Sequence, residues 1–354
     1  MAENNKNKSI QPQHTKHHLH HHHHHHRKFW RVFWIVIGLV VVVGLFVAGM
    51  AYKNLRDATS NMYTPVAKNT TSNKGRNLDN LLAEKKPINI LLLGIDTGAM
   101  GRHFKGRTDT MMMMSINPKK NTTNIISIPR DSNAIFPGFE NYGVTKMNSA
   151  YTLGGASETI KTLDKYYSVP IDGYMLINMG GLTKAIDQVG GIEVVSPLTF
   201  NNMGYHFDEG KKYFLNGKKA LAFAQLRHGD PRQDYGRQDR DRRVIQGLLK
   251  KSVSPQTLLN KKFLDSISNE MQTDLTMNQM YKIGMDYRKA TNNVIPDHAQ
   301  GVSKETMNPK FGLMEIEVVS RQERQRVSDK IREALDLPKV KVKKNSASYI
   351  MNRE

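Results

Sequence analysis

The twenty residues Val32–Ala51 contain no charged side chain. As a helix rising about 1.5 Å per residue, such a run spans about 30 Å, the hydrocarbon core of a bilayer. Arg27, Lys28 and Arg31 precede it, so the positive-inside rule keeps the N-terminal tail in the cytoplasm and sends residues from about Tyr52 outside the cell. Trp30 and Trp34 stand at the inner boundary, where amphipathic rings prefer the interface. A cleaved signal peptide is the rival reading, with Gly49-Met50-Ala51 as a weak small-residue site. The run exceeds the ~7–15 residues of a secretory apolar region, which favours an anchor. The expectation is a single-pass, type II protein of the cell membrane with an extracellular domain.

Composition agrees with that placement. The chain of 354 residues has a formal charge of +20 and no cysteine. Disulfides, a thiolate nucleophile and a Cys-ligated zinc are therefore excluded. Residues 1–31 carry six lysines and arginines against Glu3, so most of the positive charge lies beyond the span. A strongly basic exterior domain favours anionic partners. Topology removes nucleic acid from that set. His20–His26 is an unbroken histidine tract, either a purification tag or a low-complexity tail, and it takes no part in the fold.

Residues 52–86 read as an extracellular linker with a short helix near Leu78–Glu84, and the folded domain is expected from Pro87 to residue 337. Ile88–Ile95 is a nearly continuous apolar run, as in a central strand buried on both faces. Thr110–Ile116 and Asn124–Ile128 are further strands, joined through the turn signal Asn117-Pro118-Lys119-Lys120. A helix over Ala156–Tyr167, a strand over Gly173–Ile177, a helix over Gly181–Val189 stopped by Gly190-Gly191, and a strand over Ile192–Val195 follow. Strands alternating with helices predict an α/β layered domain. Beyond them the spacing predicts helices over Asn216–Leu226 and Arg237–Lys251, more helix across 255–290, a strand over Leu313–Val319 and a helix over Ser320–Leu335. Residues 338–354 read as a loose basic tail.

Asp96 ends the first apolar run and Asp109 opens the second. Open α/β sheets bind ligands at strand ends, and Asp109 fits an antiparallel neighbour of the strand that Asp96 follows. Carboxylate oxygens suit Mg²⁺ or Mn²⁺; turn or capping roles are the plainer alternative. Arg107, Arg130, Arg227 and Arg237 are guanidinium forks suited to phosphate oxygens. Alone, Arg130 reads as a salt-bridge partner of Asp131. The segment Arg227–Arg243 adds Arg232, Arg240, Arg242 and Arg243 beside Asp230, Asp234, Asp239 and Asp241. Positions 237, 240 and 241 share a helix face, whereas 242 and 243 read as a solvated one. Arg237 is expected near a helix N-terminus, where it adds positive potential for a bound anion. Met111–Met114 reads as core filling. Together these residues read as a metal-assisted site for a diphosphate.

The ordered motifs Leu93-Gly94-Ile95-Asp96, Arg107-Thr108-Asp109-Thr110, Ser127-Ile128-Pro129-Arg130-Asp131, Lys146-Met147-Asn148-Ser149-Ala150-Tyr151, Val189-Gly190-Gly191-Ile192, Gly217-Lys218-Lys219-Ala220-Leu221-Ala222 and Asp234-Tyr235-Gly236-Arg237 resemble those of the LytR–CpsA–Psr family, closest to its LytR branch. The resemblance runs from about Ile88 to Lys250 and more weakly to Pro338. It implies a three-layer α/β/α domain with a mixed central sheet and an elongated apolar pocket for a polyprenyl chain. It implies transfer of a glycopolymer, such as wall teichoic acid or capsule, from undecaprenyl pyrophosphate to a muramic acid hydroxyl of peptidoglycan. By matching motifs, Asp96 and Asp109 would hold Mg²⁺ or Mn²⁺, and Arg107, Arg130, Arg227 and Arg237 would grip the pyrophosphate.

Two positions depart from the family pattern. Gln225 stands where Arg is common, and Asp241 where Gln is common. Both are expected at the substrate, with Arg240; either substrate preference or activity is altered, or Arg240 and Arg242 compensate. Asp234 is a candidate general base, or else pins Arg237 by a salt bridge. The departures keep a second reading open, a weakly active or inactive module that binds polyprenyl phosphates. A DNA-binding regulator is the third, and it requires residues 52–354 in the cytoplasm.

Overall fold

The computed structural model describes residues 53, 62–66, 76–95, 106–226, 229–252, 268 and 270–343. The candidate span 32–51, the histidine tract, Asp96, Arg227 and residues 344–354 lie outside the described residues. Among the described residues, no helix is long and apolar enough to cross a membrane.

Helix α1 (Leu78–Ala83) leads into β1 (Ile88–Ile95), followed by β2 (Thr108–Asn117) and β3 (Thr122–Ser127). The Asn117 side chain builds the predicted turn by accepting from the Lys119 and Lys120 amides at 3.1 and 3.0 Å. Then come α2 (Ser149–Tyr167), β4 (Gly173–Asn178), α3 (Met179–Gln188), β5 (Ile192–Val195), β6 (Lys212–Leu215) and α4 (Gly217–Ala224). Helix α5 (Gln233–Ser252), β7 (Met271–Thr273), α6 (Met277–Asp286), β8 (Val294–His298), β9 (Val302–Asn308), β10 (Gly312–Val318) and α7 (Arg321–Ala334) complete the chain.

The main sheet has the order β7-β4-β1-β2-β3-β8. It is mixed: β1 runs antiparallel to β2 and parallel to β4, and β8 runs parallel to β3. Alternation along β1 feeds both faces. Leu91, Leu93 and Ile95 pack with Met111 and Met113 against Ile160 and Leu163 of α2 and Val327 and Ile331 of α7. Ile88 and Ile90 pack with Met112 and Met114 against Leu81 and Leu82 of α1 and the α5 and α6 side. The four methionines are thus split between two cores, as filler on both faces. A third cluster joins β5, α3 and α4 to Val244 of α5, around Phe200, Phe207 and Phe223.

Several expectations need correction. Helix α5 begins at Gln233, so the polar loop is shorter than predicted and Arg237 lies a full turn inside the helix. The 255–290 region includes the strand β7 as well as α6. β8 carries Pro296, which argues against a strand except at a sheet edge, and β8 is at the edge. The partner of β10 is β9, too polar to read as a strand. Packing begins upstream of Pro87, where Met62 is buried, Tyr63 bridges to Thr273, and Arg76 pairs with Asp172 at 2.7 Å. The C-terminal segment is not loose at its start: Val342 is buried and its amide donates to the Gln325 side chain at 2.8 Å.

The α3–α4 contact admits only glycine at its closest point. A Cβ on Gly217 would stand 2.3 Å from the Thr183 carbonyl oxygen and 2.8 Å from Asp187 Oδ2. Gly217→Ala is expected to lower the unfolding free energy by about 1–3 kcal/mol. Urea denaturation checks this, and an unchanged midpoint would mean that the contact opens freely.

Candidate active site

The end of β1 is paired with the start of β2, with Ile95 opposite Thr108 and an irregularity between Gly94 and Ile95. Asp109 therefore emerges at the strand end, half-buried, as the antiparallel arrangement requires. Arg130 follows β3 in the loop after Pro129. It does not take Asp131, which pairs with Lys146 at 3.2 Å. Instead its Nη1 donates to Asp109 Oδ1, and its Nε lies 3.6 Å from Asp234 Oδ1. Burial lowers the Arg130 pKa, but Asp234 and Asp109 outweigh it and raise the group above its ordinary value.

The α5 side supplies the rest. Arg237 Nη2 donates to Asp234 Oδ1 at 2.5 Å and to the Asp109 carbonyl at 3.2 Å. Gln238 Nε2 donates to Asp234 Oδ2 at 2.9 Å. Both oxygens of Asp234 are thus engaged, and the pinning of Arg237 is its visible role. Gln238 went unnoticed in the sequence; its spacing of four from Asp234 on a helix was the available signal. Asp241 Oδ2 accepts from the Thr110 hydroxyl at 2.8 Å. Arg107 is exposed just before β2, and Gln225 is the half-buried residue after α4. The structure therefore brings Asp109, Arg130, Asp234, Arg237 and Asp241 together. Asp96 and Arg227 lie outside the described residues.

Arg240 does not reach this site. It is 0% exposed, ion-paired with Asp230, bonded to the Leu226 carbonyl at 2.9 Å, and set over the Phe200 ring. It cannot compensate for Gln225. Nor is Arg242 solvated: it is 6% exposed and donates to Ser127 Oγ at 2.8 Å.

One feature suits an anion, and a second suits a cation. Arg130 Nε and Arg237 Nε are buried donors without a hydrogen-bond partner among the described residues. Asp109 Oδ2 accepts no hydrogen bond from them either, leaving a hard oxygen beside the two guanidiniums. A carboxylate oxygen is a hard donor of the kind that Mg²⁺ takes, and among the described residues no group of three or more carboxylates or imidazoles stands together there.

Two predictions follow from these positions. Removing one partner of a buried pair leaves an uncompensated charge. Arg240→Gln is therefore expected to destabilise the fold by about 3–5 kcal/mol, measured by chemical denaturation; a smaller loss than Arg130→Gln would contradict its structural role. Burial pushes the Asp241 carboxyl up to about 6, against the pull of Arg237 and the Thr110 hydrogen bond. A folded pKa above the unfolded value near 3.9 means that the ionised group costs stability, fully above about pH 6 and not below about pH 4. Asp241→Asn is expected to raise Tm at pH 7.5 by about 2–4 °C, with the difference fading as pH falls through 6. A pH-independent difference would contradict this account.

A family model described as the LytR_cpsA_psr family matches residues 49–327. The polyisoprenyl-teichoic acid–peptidoglycan teichoic acid transferase TagU of Enterococcus faecalis is 40% identical over 266 residues, covering 75% of this chain and 86% of that protein. Its Bacillus subtilis namesake is 34% identical over 269 residues, covering 74% and 85%. The crystal structure of protein gbs0355 from Streptococcus agalactiae superposes with a TM-score of 0.66 at 30% identity, covering 78% of this chain and 98% of that one. By the span of the family model, the identity to these relatives and the shared architecture, this chain belongs to the LytR–CpsA–Psr family.

Proposed function

We propose that the protein transfers an anionic glycopolymer from a polyprenyl pyrophosphate, undecaprenyl pyrophosphate in the bacterial envelope, to peptidoglycan. The observation that carries this reading is one stripe of α5. Asp234, Arg237, Asp241, Ile245 and Leu248 recur at helical spacing, charged at the N-terminal end and apolar further along. From Arg237 to Leu248 the stripe covers about 16 Å of helix. The sheet face opposite its apolar part is incompletely filled: Leu92, Met175 and Ile177 stay half-buried on central strands, next to half-buried Ile245, Leu248 and Leu249. A charged clamp above an unfilled apolar face matches an amphiphile with a diphosphate head and a long hydrocarbon tail. The names of the relatives, teichoic acid transferases acting between a polyisoprenyl carrier and peptidoglycan, point the same way.

In this reading the acceptor hydroxyl oxygen attacks the phosphorus that bears the glycopolymer. The bond from that phosphorus to the bridging oxygen breaks, the polyprenyl monophosphate leaves with that bonding pair, and the hydroxyl proton passes to solvent water. Arg130 and Arg237, with Arg107 and Arg227, meet the charge that builds on the leaving phosphate. Asp234 keeps Arg237 and Arg130 in place. Asp96 and Asp109 would hold Mg²⁺ or Mn²⁺, which supplies further charge neutralisation. The span 32–51 would anchor the chain, with the domain outside the cell, where both substrates meet.

The test uses full-length protein in lipid nanodiscs with a polyprenyl-diphosphate-linked saccharide, peptidoglycan fragments and Mg²⁺. Arg130→Ala and Asp109→Ala are each expected to lower kcat at least about 100-fold, and EDTA to abolish a turnover that Mg²⁺ restores. Donor binding without turnover in the wild-type protein would reduce it to a lipid-holding module.

A further inference from the structure

On another flank of α5 lies an open groove that the clamp does not use. It is lined by Pro231, Arg232, Gln233, Tyr235, Asp239, Arg242, His298 and Gln300, and holds about 580 Å³. Residues 235, 239 and 242 stand roughly 80° or more around the helix from 234, 237 and 241. The groove is therefore a separate surface, reached by passing the first turn of α5.

Its electrostatics are unbalanced. Asp239 is the shared partner of Arg232 at 3.2 Å, Arg242 at 3.4 Å and Arg243 at 3.3 Å. Charge-assisted bonds of this kind close at about 2.7–2.9 Å when optimal, so one carboxylate is stretched over three cations. Arg232 also pairs with Asp230 at 3.3 Å, a carboxylate that it shares with buried Arg240. Arg242 is more than nine-tenths buried, and its Nε has no partner among the described residues. Burial first, and then Arg242, lower the His298 pKa, against the opposing pull of Asp297. Arg326 neutralises Glu323 at 2.6 Å, whereas Glu317 accepts from the neutral Tyr235 Oη at 2.6 Å and stays an anion at the rim.

The remaining walls suit a saccharide. Gln233 and Gln300 present side-chain amides, and Tyr235 and His298 form an aromatic pair with ring centroids 5.3 Å apart. Amides, imidazole and an aromatic face are the groups that hydroxyl-rich chains engage.

We propose that this groove is a second binding subsite, for an anionic saccharide segment whose phosphate or carboxylate sits between Arg232 and Arg242. The proposal rests on the transferase reading and deepens it. The shared chemistry is an anionic oxygen group for a guanidinium fork, and it has two sources: a phosphate repeat of the donor polymer, or a carboxylate of the acceptor glycan and its peptide. The groove holds whichever chain continues past α5 from the reacting phosphorus.

The experiment compares wild-type full-length protein in nanodiscs with Arg232→Glu and with Gln300→Ala. Arg232 is the accessible arginine of the groove, its side chain 42% exposed, and thermal melting is the check that the variants fold. Three probes are titrated: a glycerol phosphate oligomer, a disaccharide-peptide fragment of peptidoglycan, and a saccharide-free polyprenyl diphosphate. Arg232→Glu is expected to weaken one of the first two at least tenfold and to leave the third unchanged. Loss of the glycerol phosphate oligomer assigns the groove to the donor polymer; loss of the peptidoglycan fragment assigns it to the acceptor. In turnover, KM for that substrate rises while kcat holds. Wild-type affinity for both saccharides in Arg232→Glu, or binding of neither by the wild type, overturns the subsite. Failure of the lipid probe to bind overturns the transferase reading instead.

Discussion

Asp230 organises the entry to α5, and the site depends on it. Its carboxylate takes the Arg232 amide at 2.9 Å, its carbonyl takes the Gln233 amide at 2.9 Å, and its other oxygen holds buried Arg240. Arg240 in turn reaches back to the Leu226 carbonyl, tying the end of α4 to the second turn of α5. The space is so tight that a Cβ on Gly236 would fall 1.9 Å from Asp230 Oδ2. This buried pair is a poor stabiliser by itself, because desolvation offsets much of the attraction. Its effect is on register. Gln233 enters the helix at φ 51°, and from that start the angular positions of residues 234, 237 and 241 are set.

Register then divides the labour among the arginines of one short segment. On the stripe facing the sheet, Arg237 meets Asp109 and Asp234 and extends toward Arg130. A turn away, Arg240 is consumed by the fold. On the flank, Arg232, Arg242 and Arg243 crowd one carboxylate. Equal formal charge thus yields three outcomes, set by how many carboxylates each guanidinium can reach.

The central strands were legible because continuous apolar runs bounded by Asp, Pro and Gly have few other solutions. β1 matches its predicted limits, and β2 and β3 differ by at most two residues at either end. The edges were not legible. β7 is only three residues long, β8 contains a proline that only an edge forgives, and β9 is polar on both faces because little covers it. In the site, Asp109, Arg130, Asp234 and Arg237 were visible as types and as motifs, and the structure brings these four together. Arg240 was misjudged because helical spacing places it beside Arg237 and Asp241 without revealing Asp230, ten residues earlier in a loop. Long-range pairing across a turn leaves no periodic trace.

Asp241 shows how the surroundings alter the meaning of a substitution. A carboxylate where the family resemblance leads one to expect an amide reads as repulsion toward phosphate. In the structure the side chain accepts from Thr110, and burial holds its pKa near 6, about two units above an exposed aspartate. The neutral acid that burial favours here can donate a hydrogen bond as an amide does. Above about pH 6 the charge returns, and Arg237 is the cation that lowers its cost. An anionic head group bound at the clamp would raise the Asp241 pKa further, since it adds negative charge close by. Binding would then take up a proton, and Asp241 would approach the neutral state that the amide supplies at every pH. The departure need not abolish the clamp; it makes the clamp's strength depend on pH in a way that the amide would not.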